Sequence, residues 1–307
     1  MAGGSKTAVI AALIGNGLIA ITKFIAASIT GSSAMFSESI HSLVDVGNQS
    51  LLLFGLNRAQ KPATAEHPYG FGKEIYFYSF IVAILLFSFG GGLSLLEGIK
   101  HLSNPKPIAS VYINYIVLGF AFIFESAAWY VAFKEFKKTT KNFHWFYSVH
   151  RAKDPAIIVV LLEDTAAMIG LVVAAIGVTA SSYFNLPIID SIASIIIGLV
   201  LLAVAVWLAY ESKSLLVGEA ANPEIINQVK NIISNADEIV KSKNIMTMHM
   251  GPNSILLNLD VDFKENLGSS DVENSISRLE REIKQCLPDI KWVYISAKSF
   301  NKKEASI

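Results

Sequence analysis

The 307-residue sequence contains one cysteine, Cys286, so no disulfide can close within the chain and no thiolate cluster can hold a metal. It is also poor in charge. Asp, Glu, Lys and Arg make up 16% of the residues, against about 25% in an ordinary soluble domain. Neither sign is in excess, with 25 basic and 25 acidic residues. That balance removes the electrostatic case for a nucleic-acid partner, because such binders carry surplus Lys and Arg to neutralise phosphates. Catalytic signatures are missing as well: there is no His-Glu-x-x-His run, and no Ser, His and Asp that the sequence places together. The expectation is a protein that is not an enzyme and carries no cofactor. Any metal it handles must be met by His, Asp and Glu.

What the sequence has instead is apolar residues, 52% of the total, with a mean hydropathy of +0.48. A stretch of about 20 apolar residues crosses the hydrocarbon core of a bilayer. Six such stretches run approximately from Thr7 to Ile29, Phe36 to Leu56, Ile75 to Ile99, Tyr112 to Phe133, Pro155 to Ala180 and Ile189 to Tyr210. The first has too short a basic lead to read as a cleaved signal and is expected to be retained. Beyond Ser212 the sequence becomes mixed and charged. Residues 1–212 are therefore expected to form a six-helix transmembrane domain and residues 213–307 a small soluble one.

Loop charge gives the orientation. Arg58, Lys61 and Lys73 lie between the second and third spans, and Lys134, Lys137, Lys138, Lys141, Arg151 and Lys153 between the fourth and fifth. The opposite loops carry only Lys100 and Lys106. The positive-inside bias then puts both termini in the cytoplasm. Asp154-Pro155 reads as a cap followed by Pro at the first helical position, and Asn185-Leu-Pro187 is expected to open the sixth helix in the same way.

In the tail, Pro223 to Ser234 has helical spacing, Ile239 to Met250 and Ser254 to Phe263 read as strands joined at Gly251-Pro252, Asp271 to Leu287 as a helix, and Trp292 to Ala297 as a last strand. The order α-β-β-α-β is that of a small ferredoxin-like α+β unit.

Ionisable residues at membrane depth point to function, since each is costly to bury there. His41 and Asp45 stand four apart in the second span, which puts both on one helical face about 6 Å apart along the axis. Glu163-Asp164 lies in the fifth span, and counting about 1.5 Å per residue brings Asp164 and Asp45 to similar depth near the midplane. A base and carboxylates so placed make a candidate site for a divalent cation. Glu38 reads either as an exit-side acid or as interfacial, and Glu125 lies mid-span. Glu97 is expected to be solvated at its span end, Asp190 to complement its own helix dipole, and Lys23 to snorkel to the membrane surface. His101, His144 and His150 are expected in solvated interfacial loops.

Three runs carry a resemblance: Gly31-Ser-Ser-Ala-Met-Phe-Ser-Glu-Ser-Ile-His41-Ser-Leu-Val-Asp45, then His67-Pro-Tyr-Gly-Phe-Gly-Lys73-Glu74, then Asp190-Ser-Ile-Ala-Ser-Ile-Ile-Ile-Gly198. Together they resemble the cation diffusion facilitator family of metal/proton antiporters over nearly the whole chain. Val159-Val-Leu-Leu-Glu163-Asp164-Thr-Ala-Ala is similar to the branch that includes the animal mitochondrial zinc exporter.

The resemblance implies a tetrahedral site from two four-spaced pairs, matched here by His41, Asp45 and Asp164. Its fourth position falls on Val160, which cannot ligate, so Glu163 is preferred as fourth donor, with Asn48 or water as alternatives. One His with carboxylates suits Zn²⁺, and Mn²⁺, Fe²⁺, Co²⁺ and Ni²⁺ accept the same donors. The family's loop metal site keeps His67 but has Phe71 where its second His belongs. The tail has only His249 and is expected to dimerise by packing. The implied activity is export of a divalent metal in exchange for protons by a homodimer in a lipid bilayer, a bacterial plasma membrane being the expected host. A metal-gated channel, or a membrane metal sensor signalling through its tail, is the alternative.

Overall fold

The computed structural model describes residues 2–105, 107–108, 110–139, 153 and 155–299. Lys141, His144, His150, Arg151 and Asp154 lie outside the described residues. The chain divides into two compact units, Met1–Gln60 with Glu74–Lys213, and Lys61–Lys73 with Ser214–Ile307.

The first unit is helical. Its elements are α1 (Ala2–Thr30), α2 (Ser33–Ala59), α3 (Glu74–Leu85), a π-helical segment (Leu86–Gly92), α4 (Leu93–Ser103), α5 (Val111–Thr139), α6 (Pro155–Phe184) and α7 (Ile188–Val217). Among the described residues, four stretches are long and apolar enough to cross a membrane by length and composition: Glu74–Ser103, Val111–Lys134, Pro155–Phe184 and Ile188–Val217. Asn16–Thr30 of α1 is a shorter apolar helix. The polar helix α2 is not among these spans.

The reason α2 is polar is visible in its burial. Ser33, Ser37, Glu38, Ser39, His41, Ser42, Asp45, Asn48 and Gln49 are all buried. Leu18, Ile21, Ile25 and Ile29 of α1 and Phe120, Ile123 and Phe124 of α5 are exposed. Polar groups inside and large apolar groups outside are the reverse of a water-soluble bundle, and the arrangement fits hydrocarbon as solvent.

Small residues let the helices approach closely, as membrane packing favours. A Cβ at Gly198 of α7 would sit 2.8 Å from the Leu95 nitrogen, and one at Gly98 of α4 would sit 2.9 Å from the Ile195 nitrogen. Only glycine fits at these crossings.

Two helix ends differ from expectation. Asn185 terminates α6 in the left-handed region, φ 53°, a conformation Asn tolerates at a helix C-terminus, so it does not cap α7. Asp190 serves a neighbouring helix as well as its own. Its carboxylate accepts from the Ser32 hydroxyl at 2.7 Å and from the backbone N–H groups of Ser33 at 2.5 Å and Ala34 at 3.4 Å, satisfying orphan donors at the start of α2. Ser32 in turn accepts from Met35 N–H at 3.2 Å. His101 sits in the last turn of α4, not in a loop, with Nε2 4.0 Å from Glu97.

The second unit contains α8 (Pro223–Ser234), β1 (Ile239–Gly251), β2 (Ser254–Phe263), α9 (Ser269–Cys286) and β3 (Ile290–Ala297). The sheet order is β1-β2-β3, with β1 antiparallel and β3 parallel to β2. Alternation along β2 buries Ile255, Leu257, Leu259 and Val261 against Val229 and Ile233 of α8 and Ile283 of α9. His249 is buried in β1, with Nδ1 3.4 Å from the Gly251 carbonyl.

The 61–73 loop packs on the other face of this sheet. The Tyr69 ring stands edge-on to Trp292 at 5.4 Å, its hydroxyl lies 3.3 Å from that of Tyr294, and Lys73 reaches the Met248 sulfur at 3.5 Å. Gly72 lies so close to the Met250 carbonyl that a Cβ would overlap it. The Phe71 ring fills the space beside His67, 4.5 Å between centroids.

Replacing Asp190 by Ala leaves the start of α2 without its acceptor. The expected loss is about 1–3 kcal/mol, measured by thermal unfolding in detergent, with Asp190→Asn falling between the variant and the wild type.

Candidate metal centre

One turn-spaced stripe of α2 builds the centre. Glu38, His41, Ser42, Asp45, Asn48 and Gln49 follow helical periodicity and share one buried face. His41 Nδ1 lies 3.4 Å from Asp45 Oδ1, so the four-residue spacing brings base and acid together. His41 is fully buried and Asp45 is 7% exposed.

Across from this stripe, α6 contributes Glu163 and Asp164, both buried. Asn48 Nδ2 donates to Glu163 Oε1 at 2.6 Å, joining the two helices at the level of the acids. Asp45 lies within electrostatic reach of Glu163, Asp164 and the buried Glu125 of α5. Both His41 ring nitrogens, Asp45 Oδ1, Asn48 Oδ1 and Asp164 Oδ2 are buried without a hydrogen-bond partner. Buried polar atoms are normally satisfied, and a set of orphan N and O donors on two facing helices has the chemistry of a cation site.

The grouping is pairwise. His41 meets Asp45, and Glu163 meets Asn48. Among the described residues no three His, Cys, Asp or Glu side chains converge closely enough to hold a metal. Val160 is half-buried on α6 and offers no donor.

Lys23 departs furthest from expectation. It does not snorkel. It is fully buried, its ammonium donating to Ser42 Oγ at 2.7 Å and Glu38 Oε2 at 3.2 Å, with Glu125 Oε1 at 4.0 Å. Glu38 is therefore neither interfacial nor solvated. The signal was available in depth: Lys23 lies seven residues before the end of α1 at Thr30, about 10 Å of helix, and Glu38 and Ser42 offer it oxygen on the next helix.

The family model for the cation efflux transmembrane domain matches residues 9–217. The chain belongs to the cation efflux, or cation diffusion facilitator, family. It is 33% identical over 262 residues, 85% of its length, to the mitochondrial proton-coupled zinc antiporter SLC30A9 of Homo sapiens, of which the match covers 46%. It is 30% identical to metal tolerance protein C4 of Arabidopsis thaliana over 91% of this chain and 61% of that one. It is 24% identical to the manganese efflux system protein MneP of Bacillus subtilis over 92% and 94%. The chain thus spans about half the length of the human relative. The family and these relatives are transporters, not enzymes, and membership together with the apolar helices makes this a membrane protein.

Replacing Asn48 by Leu leaves Glu163 buried without its donor and is expected to cost about 1–3 kcal/mol in thermal unfolding. Glu163→Gln, which still accepts from Asn48, should unfold near the wild-type temperature.

Proposed function

We propose that this chain exports a divalent transition metal, Zn²⁺ foremost, from the cytoplasm in exchange for protons. The observation that carries the reading is the orphaned donor set on the facing buried surfaces of α2 and α6. His41, Asp45 and Asp164 are the metal-binding residues in this reading, with Glu163 as fourth donor in place of Val160. Rotation about the Glu163 side chain trades the Asn48 hydrogen bond for the ion, and Asn48 Oδ1 lies beside it as the alternative donor. Mn²⁺, Fe²⁺, Co²⁺ and Ni²⁺ remain competitors, because the same N and O donors accept them. A zinc antiporter and a manganese efflux protein among the relatives support this breadth.

Proton exchange follows from ligation. Imidazole and carboxylates must be free of protons to bind a metal, so a proton-rich exit side displaces the ion and a proton-poor cytoplasm reloads it. Alternating access about a midplane site performs the exchange.

The architecture in this reading has six spans. These are α1, α2, α3 continued through α4, α5, α6 and α7, with residues 1–212 as transport domain and 213–307 as a cytoplasmic domain of ferredoxin-like type. Both termini are cytoplasmic by loop charge. A bacterial plasma membrane is the proposed host, supported by a Bacillus subtilis relative of matching span. The protein works as a homodimer. Met246 and Tyr294, exposed on the sheet face opposite the core, support contact between copies through the tail.

Proteoliposomes loaded with a zinc indicator and given an imposed pH gradient test the function. Saturable Zn²⁺ flux that requires the gradient is expected, with loss of flux in Asp45→Ala and Asp164→Ala. Flux indifferent to the gradient, or unchanged in both variants, would refute the proposal. The same vesicles with a panel of divalent metals rank the substrates.

A further inference from the structure

Lys23 carries a cation into the interior of the helical unit, against several acids. Lys23 of α1 is completely enclosed, and its ammonium is held by Glu38 and Ser42 of α2 with Glu125 of α5 at the edge of ion-pair range. Glu38 is three residues before His41, and Ser42 directly follows it. The pair therefore occupies the same buried stripe as the candidate metal ligands, about one turn along.

The groups that face Glu38 are few. From α1 comes Lys23 and from α5, across the ammonium, Glu125. From α6 comes Gly170, which has no side chain and lies against Glu38 Oε1. On its own helix stand His41, Ser42 and Asp45. Glu38 Oε1 has no hydrogen-bond partner, so among the described residues Lys23 is its only cationic partner.

A buried ion pair is poor evidence of stabilisation, because two well-packed apolar residues commonly serve as well. Its placement suggests a different use. Lys23 holds Ser42, the residue that follows His41, so its charge stands about one helical turn from where a divalent cation would sit between His41 and Asp45, and among buried groups such a charge is weakly screened.

We propose that Lys23 and Glu38 form a masked charge beside the metal half-site: while Glu38 is ionised the ammonium is neutralised, and when Glu38 is neutral the ammonium repels the ion held by His41 and Asp45. Both residues are positioning groups, which set affinity without touching the metal. The inference rests on the metal-site reading above and deepens it. A proton on Glu38 has the same electrical effect as removing its charge, so proton entry at a group outside the ligand set would push the metal off. This gives antiport a coupling element besides direct competition at the ligands.

The test is calorimetric titration of the full-length protein in detergent with Zn²⁺ alone, near pH 7. Glu38→Gln keeps the shape and unmasks the ammonium, so Zn²⁺ affinity should fall at least about tenfold. The double variant Lys23→Met/Glu38→Gln carries neither charge and should return to within about threefold of the wild type. Lys23→Met alone should bind no more weakly than the wild type, and it carries the test if Glu38→Gln does not fold. A structural role predicts the opposite order, with the double variant no better than either single one.

Wild-type affinity in Glu38→Gln, no recovery in the double variant, or weakened binding in Lys23→Met would each overturn the proposal. The double variant should also show a shallower fall of affinity with acid than the wild type, and an equal slope would remove the proton's part in it. Asp45→Ala separates the two readings. If it binds Zn²⁺ like the wild type, the metal site and this inference fall together. If it abolishes binding while the pair variants behave like the wild type, the inference falls alone.

Discussion

Hydrocarbon does not solvate charge, so each ionised group carried to membrane depth has to find its counter-charge within the protein. This constraint shapes the helical unit. It explains why α2, the most polar helix of this unit, is wrapped by α1, α3, α4 and α6 and why its Glu38, His41, Asp45 and Asn48 all turn inward. It also explains why Lys23 leaves the lipid-facing stripe of α1 formed by Ile21, Ile25 and Ile29 and enters the interior. The remaining helices supply the apolar jacket, with glycines at Gly98 and Gly198 drawing α4 and α7 together.

Much of this was legible in the sequence. Every apolar stretch found with a membrane-length window corresponds to a helix or to a helix pair joined by the π segment, and the tail elements fall within two residues of the expected bounds. The signals responsible, long apolar runs and the alternation in β2, are local and strong. The four-residue spacing of His41 and Asp45 likewise implied one shared face, and the two side chains meet at 3.4 Å.

Partnerships between distant segments were not legible. Periodicity says which face a residue occupies, but not which neighbour it meets there. Lys23 read as a snorkelling residue because counting along one helix ignores the acid waiting on the next. Asp190 read as a cap for its own helix because its link to Ser32, Ser33 and Ala34 spans more than 150 residues of sequence. Asn48 was one of three ways to complete a coordination shell, and the structure places it against Glu163, another of the three. The π-helical segment at Leu86–Gly92 was also invisible, since a widened turn changes no residue's hydropathy.

The Asp190 cap has a mechanical consequence. Three donors at the start of α2 close on one carboxylate at the start of α7, and the hydroxyls of Ser37 and Ser194 meet 2.5 Å apart a little over one turn further along both helices. Two bolts on one seam make a corner that resists both twisting and sliding. The far end of α2 is tied as well, the Arg58 guanidinium donating two hydrogen bonds to Glu74 of α3, so His41 and Asp45 sit on a length of helix strung between two anchors, and a shift of either anchor is handed to both side chains at once.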